Sequence, residues 1–466
     1  MTAIYSARWV LPITSPAIDF GALAVKGDTI IAIGSAARIV SEFPEAQVTD
    51  FGKSAILPGF VNAHSHLELT VMRGFLEGEE HDFFSWLRKL TVARMAMDGD
   101  DLFVSSACGA IEAVRAGITC LGDSSSAAKQ TMKANSEVGL RAVVYQESFG
   151  PDPNLAEQAV AGLRRELEAM RAIETSTVRA GVSPHAPYTV SARQLKLIAQ
   201  LAIEDRLPLM MHAAESPAER SLMIEGTGAF ADGLRKRNIE WEVPRSSTIQ
   251  YLARHGLMAT RPLLAHCITV DDQDIETIRA NGASIAHCPR SNAKLRHGRA
   301  PFAKFLEAEL KVGLGSDSVA SNNNCDILAE ARFAVLAARS ADSGARADSL
   351  NAEAMLFSAT LGGARALGLD HEIGSLRAGM QADLAVIGLD GVHQQPITNP
   401  ADALIFSSSG RDVRMTMVAG KEIYRDEQVA GIDANALLPR LAAVRDKLEE
   451  AAANARTQTP PSKTKA

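Results

Sequence analysis

Eight apolar, β-compatible runs separated by helical stretches fill the middle of this 466-residue chain. They end at His66, Asp123, Glu147, His185, His212, His266, His287 and Asp317. Helix patterns follow most of them, for example Leu102–Ala116, Ser191–Ile203, Asp271–Asn281 and Ile327–Ala338. Strand–helix alternation of this kind predicts an α/β fold, a closed parallel (β/α)8 TIM barrel over residues 58–370. A doubly wound open sheet is the rival, but no Gly-x-Gly-x-x-Gly follows the first strand. In such a barrel the strand C-termini face one pocket. Five of the eight ends carry one of the chain's 11 histidines, which random placement would not favour.

The flanks have a different texture. Ile4–Leu11 and Ala22–Ile33 alternate like strands and break at Gly27-Asp28 and Gly34. Similar pieces return at Asp383–Ile387 and Val413–Val418, with a turn at Ala419-Gly420 and more strand through Ile423. Residues 1–57 and 371–430 are therefore expected to form one small β-sandwich from both chain ends. Residues 431–456 predict a charged amphipathic helix, and the proline- and lysine-bearing 457–466 a disordered tail. A net charge of −7 argues against nucleic acid as a partner. No apolar run approaches the ~20 residues of a membrane span, and Met1–Trp9 lacks a basic-then-apolar leader pattern. Cys108, Cys120, Cys267, Cys288 and Cys325 form no C-x-x-C pair and read as reduced thiols of a cytoplasmic protein. A homo-oligomer is compatible with all of this and required by none of it.

The strand ends carry the chemistry. His64 and His66 sit two apart at the end of the apolar run Ser54–Asn62, so alternate-residue geometry lets both imidazoles reach one cation. His212 closes Leu207-Pro208-Leu209-Met210-Met211, and Asp317 follows Val312-Gly313-Leu314-Gly315-Ser316. A carboxylate at the mouth of a buried strand is costly unless it is paired or bound to a cation. Three imidazoles and a carboxylate suit one divalent ion, zinc first and ferrous iron nearly as well. Glu215, three residues after His212, can reach the same pocket as a proton shuttle, with a solvated loop glutamate as the plain alternative. His266 is a further metal neighbour or a holder of water. His287 is as compatible with packing as with function. His185 lies in the two-proline loop Ser183–Thr189 and suits a substrate contact. His81, His255, His297, His371 and His393 read as surface residues.

At this point the chain resembles the amidohydrolase superfamily, and within it the aminohydrolase and chlorohydrolase group. Pro58-Gly59-Phe60-Val61-Asn62-Ala63-His64-Ser65-His66 is similar to the first-strand motif, and His212-Ala213-Ala214-Glu215 to the H-x-x-E element. His287-Cys288-Pro289-Arg290-Ser291-Asn292 with Leu295 resembles the seventh-strand motif, and Gly315–Ser318 with Ala320–Asn323 the eighth. Gly374-Ser375-Leu376, Gly379 and Ala382-Asp383-Leu384 are similar to the return into the β-sandwich.

The resemblance implies a single metal on His64, His66, His212 and Asp317. No lysine lies in Val178–Pro184 to be carbamylated, which favours the mononuclear type. It also implies catalytic roles for Glu215, His266 and Asp317, and substrate contacts at His185, Ser318 and Asn322. Arg73, with Arg88 and Arg94, is a candidate for a substrate carboxylate. The adenosine-type members are expected to carry a ribose-binding glutamate after the first-strand loop, where this chain reads Trp86-Leu87-Arg88-Lys89-Leu90-Thr91-Val92-Ala93-Arg94. The expected activity is hydrolytic deamination of an aminated N-heterocycle. Aminodeoxyfutalosine and S-adenosylhomocysteine or methylthioadenosine lead, with triazine dechlorination and guanine or cytosine deamination as alternatives. A non-enzymatic scaffold disagrees with the complete ligand set.

Overall fold

The computed structural model describes residues 1–340 and 350–457. The expected tail beyond residue 457 lies outside the described residues.

The mixed α/β architecture has a parallel part and a chain-end sheet. The parallel strands are β6 (Phe60–Ser65), β7 (Ile118–Ser125), β8 (Arg141–Ser148), β9 (Val178–Pro184), β10 (Met210–Ala213), β11 (Leu263–His266), β12 (Ser284–His287) and β13 (Lys311–Leu314). Each ends within three residues of its expected position. The helices between them start where the sequence offers caps: Ser191 accepts from Gln194 N, and Asp326 from Leu328 and Ala329 N.

The expected continuous barrel ladder is not what the strands form. They pair as two four-stranded parallel sheets, β6-β7-β8-β9 and β10-β11-β12-β13. Single bridges, Ser65 to Asp317 and Val182 to Leu209, link the two sheets at their edges. Pro208 stands at one seam and has no N–H to continue the ladder, although its carbonyl accepts from Val182 N at 2.9 Å. At the other seam Asp317 has a φ of 56°, which turns the chain out of strand geometry.

The chain-end sheet has nine strands. β1 (Thr2–Val10), β2 (Ile18–Lys26), β3 (Thr29–Ser35), β4 (Gln47–Asp50) and β5 (Ser54–Pro58) come from the start. β14 (Leu384–Gly388), β15 (Val413–Val418), β16 (Lys421–Arg425) and β17 (Gln428–Val429) come from the end. β5 pairs antiparallel with β14 and parallel with β1, joining the two chain ends. Leu23, Ile56, Leu384, Val386 and Met415 share one buried cluster.

The helix Ala434–Thr457 buries Val444 and Leu448 with Leu69, Met72, Phe75 and Trp86. It thereby backs the helix Phe83–Met95, which borders the cavity described next. No helix among the described residues is long and apolar enough to cross a membrane.

Candidate metal centre and active site

At the C-terminal ends of the parallel strands, His64, His66, His212, His266 and Asp317 converge. His66 Nε2 and His212 Nε2 are 3.2 Å apart. Asp317 Oδ1 lies 3.4 Å from His64 Nε2 and 3.6 Å from His66 Nε2. Ring centroids of His64 and His212 are 4.9 Å apart.

Local folding sets each side chain. His64 ends the buried run of β6, and β13 must approach it closely. A Cβ on Gly315 would stand 2.8 Å from Cys288 Sγ and 3.0 Å from His64 Cβ, so glycine is required there. Asp317 N donates to His64 O at 2.9 Å, fixing one ligand strand against the other. Asp317 Oδ2 accepts from Ser291 Oγ at 2.5 Å and Ser321 Oγ at 2.9 Å, which leaves Oδ1 toward the imidazoles. His212 Nδ1 donates to His185 O at 2.9 Å and so directs Nε2 inward. His266 Nδ1 is 2.8 Å from Asn292 Oδ1, while its Nε2 is buried with no hydrogen-bond partner among the described residues.

The donor set fits a divalent cation. The 3.2 Å between His66 Nε2 and His212 Nε2 is the spacing of two nitrogens on one tetrahedral ion with metal–nitrogen bonds of about 2.0 Å. Burial pushes His64 down to about 4 and His212 well below its ordinary value. Both therefore stay neutral, the form that binds metal. Burial works to raise the Asp317 carboxyl, but the imidazoles of His64, His266 and His66 hold it well below the usual carboxylate range. His64, His66 and Asp317 form one group with ligand-atom separations under 4.8 Å, and His64, His212 and His266 another.

A cavity of about 710 Å³ opens from this centre. Glu215, His185 and Ser318 line it with His66, His212, His266 and Asp317. Glu215 is 5% exposed and accepts from Tyr188 OH at 3.0 Å through Oε2. Its Oε1 lies 3.7 Å from His266 Nε2. Aromatic side chains dominate the outer wall: Phe83, Phe84, Trp86, Phe149, Tyr188 and Phe230. Arg88, Arg94, Lys236 and Arg237 add positive charge.

Two expected substrate contacts lie elsewhere. The Arg73 guanidinium is held by Glu112 and the Asn323 carbonyl, and it is not part of the cavity wall. The Asn322 amide donates to Ser316 O at 2.7 Å and Glu330 Oε1 at 2.6 Å, bracing the loop that carries Asp317 rather than facing the cavity. His287 is buried, stacks on Phe302 at 4.6 Å and stays off the cavity wall. His297, expected on the surface, is 5% exposed and meets Glu215. Its position in a loop rich in charge hid a contact that only the fold creates.

Two contributors, Glu147 and Glu219, were not legible. Glu147 was only a strand end; its carboxylate lies 3.9 Å from His66 Nδ1 and borders the cavity. Glu219 is fully buried and accepts from Ala214 N at 2.8 Å and Glu215 N at 2.9 Å, clamping the loop that presents Glu215. Ser216-Pro217-Ala218-Glu219 does carry the S-x-x-E pattern of a helix start, a signal that could have found it. Glu68 is buried and accepts from Ser125 Oγ, Ser126 N, Ser126 Oγ and Ala127 N. It also pairs with Arg94 Nε at 3.3 Å.

Known proteins resemble this chain in sequence and fold. A model of the amidohydrolase family matches residues 55–423. The 5-methylthioadenosine/S-adenosylhomocysteine deaminase 1 of Syntrophus aciditrophicus is 30% identical over 450 residues, covering 94% of this chain and 95% of that protein. Among solved structures, an adenosine deaminase from Xanthomonas campestris with bound zinc superposes with a TM-score of 0.85 at 26% identity, over 96% of this chain and 98% of that one. The Helicobacter pylori aminofutalosine deaminase, solved in complex with methylthio-coformycin, superposes with a TM-score of 0.77 at 21% identity, over 91% and 100%. With the family pattern running through both the parallel strands and the return to the chain-end sheet, and with relatives aligned along nearly their whole length, this chain belongs to the amidohydrolase family.

Proposed function

We propose that the protein is a metal-dependent hydrolytic deaminase of an adenosine-type nucleoside. One observation carries the reading: three neutral imidazoles and an ionised carboxylate converge at the floor of a cavity that also presents Glu215. The deaminase names of full-length relatives support the same reaction class. In this reading the two parallel sheets act as halves of one barrel over residues 58–370, and the chain-end sheet as its β-sandwich support.

His64, His66, His212 and Asp317 would hold the ion, with zinc the favoured species. Bound there, such an ion lowers the pKa of water toward ~7 and supplies a nucleophile at neutral pH. Glu215 donates a proton to the ring nitrogen beside the carbon that is attacked. With Nδ1 donating to Asn292, His266 keeps its Nε2 lone pair for the attacking water. Asp317 accepts the water's first proton and returns it to the departing amine, and the remaining hydroxyl proton passes back to the Glu215 carboxylate, so that ammonia leaves and the ring becomes a lactam. His185 and Ser318 border the substrate.

The outer cavity favours a nucleoside with an aromatic, anionic substituent on its sugar. Glu68 and Ser126 hold Arg94 by Nε and Nη2, so the guanidinium is oriented at the cavity wall among aromatic rings. Aminodeoxyfutalosine matches that chemistry better than methylthioadenosine does. The deciding experiment is ammonia release with the adenine-to-hypoxanthine absorbance change, measured across aminodeoxyfutalosine, S-adenosylhomocysteine, methylthioadenosine, adenosine, guanine, cytosine and triazines. The expected result is turnover of the adenosine derivatives, with the highest kcat/KM for the one carrying an anionic aromatic group. Turnover confined to triazines or free bases would overturn the reading.

Metal dependence is testable separately. The purified protein is expected to contain one divalent ion per chain by mass spectrometry, and chelation to abolish turnover until zinc or iron is restored. Because burial keeps His64 neutral down to about pH 4, zinc uptake by the stripped protein should be nearly flat from pH 8 to 6. A steep loss through pH 6.5 would show that the imidazoles are not desolvated as described.

A further inference from the structure

His297 is a buried histidine that this reaction scheme leaves unused, and it lies against the proposed proton donor. Its Nδ1 is 3.7 Å from Glu215 Oε1. Its Nε2 is buried with no hydrogen-bond partner among the described residues. The ring meets Phe83 edge-on at 4.3 Å, and its backbone N–H bonds Asn292 O at 2.9 Å. It is not part of the cavity wall, so it stands behind Glu215 rather than beside a ligand. On the opposite side, Tyr188 OH donates to Glu215 Oε2 at 3.0 Å, and the Tyr188 ring is itself stacked on Phe230 at 4.1 Å.

We propose that His297 is a positioning residue for deamination: its Nδ1, 3.7 Å from Glu215 Oε1 and so beyond hydrogen-bond range in this structure, closes to a hydrogen bond when substrate seats and holds Oε1 opposite the Tyr188 hydroxyl, so that the carboxyl faces the ring nitrogen of the bound heterocycle. The inference rests on the deaminase reading and on the role of Glu215 in it. The proton delivered to the ring belongs to Glu215; His297 neither gains nor loses one. Burial lowers the His297 imidazole below its ordinary range against the raising effect of Glu215, which suits a neutral ring with a single N–H. The charged or titratable groups acting on it are Glu215, His266 and Asp317. A glutamate has three rotatable side-chain bonds, and a proton donor displaced by a fraction of an ångström loses much of its effect.

The test compares His297→Phe, which keeps an aromatic ring against Phe83, with His297→Gln, which keeps a side-chain donor. Both are expected to fold, with metal content and thermal midpoint close to wild type. His297→Phe should lose about tenfold or more in kcat with KM little changed, since only alignment of the donor is lost. His297→Gln should recover most of that rate. An independent readout is the ¹⁵N spectrum of the histidine rings. The signals missing in His297→Phe identify His297, and they should shift in Glu215→Gln. Wild-type kcat in His297→Phe, a Gln variant no better than Phe, or an unmoved His297 signal in Glu215→Gln would each overturn the proposal. The parallel Glu215→Gln assay separates the two readings. If it is silent while His297→Phe is fully active, only the positioning role falls. If wild type releases no ammonia from any substrate in the panel, the deaminase reading falls, and the spectral shift still decides the His297–Glu215 contact.

Discussion

Replacing Glu215 by Gln is expected to reduce kcat by ~10²–10⁴-fold, the usual worth of a positioned general acid, while metal content stays at the wild-type level. Glutamine has nearly the shape of glutamate and its amide oxygen can still accept from Tyr188 OH, the bond now 3.0 Å long. The backbone of the loop is held separately, because Glu219 accepts from the N–H groups of Ala214 and Glu215. The substitution therefore removes the transferable proton and leaves the scaffold. Steady-state kinetics on the preferred substrate, with metal analysis of the same sample, makes the check. A fully metallated Glu215→Gln enzyme with undiminished rate would refute the role given to this residue.

The largest expected stability effect lies away from the cavity. Arg141 at the start of β8 is 1% exposed and grips Asp383 through Nε at 2.8 Å and Nη2 at 3.0 Å. Its guanidinium also reaches Gln381 at 2.6 Å and Glu372 at 3.4 Å. This pair ties the parallel strands to the segment that enters the chain-end sheet. Arg141→Met leaves the Asp383 carboxylate buried without its cation and should cost ~3–5 kcal/mol, seen as a clear drop in thermal midpoint. Adding Asp383→Asn removes the stranded charge and keeps an acceptor for Ala419 N, which bonds Asp383 Oδ1 at 2.8 Å. The double variant should recover much of the loss. Equal stability of Arg141→Met and wild type would show that the pair contributes no net stability.

The polar ends of the parallel strands were legible because an apolar run that stops at a histidine has few structural explanations, and five such runs among eight have fewer. His64, His66, His212, His266 and Asp317 all sit where those runs end, and the structure brings them together at one place. The pairing of the two chain ends was legible in outline from matching alternation, although β5 bonding to both β1 and β14 was not. Arg73 and Asn322 were misplaced for a common reason. Asn322 lies in the eighth-strand motif and Arg73 shortly after the first, but each side chain is claimed by a nearer partner, Glu330 in one case and Glu112 in the other. Motif membership places a backbone and leaves open which way a long side chain turns.

By itself, then, the sequence determined the α/β class and the candidate ligand positions at strand ends, and its motifs carried the resemblance to the family. These depend on periodicity and on residue type at strand ends, which are local properties. Only the tertiary structure decided that Arg94 rather than Arg73 borders the cavity, that His297 and Tyr188 flank Glu215, and that Glu219 clamps its loop. Those facts join residues up to 109 positions apart in the Tyr188–His297 pair, and no local pattern encodes them. They follow from desolvation, which forces each buried polar group to find a partner wherever the packed chain supplies one.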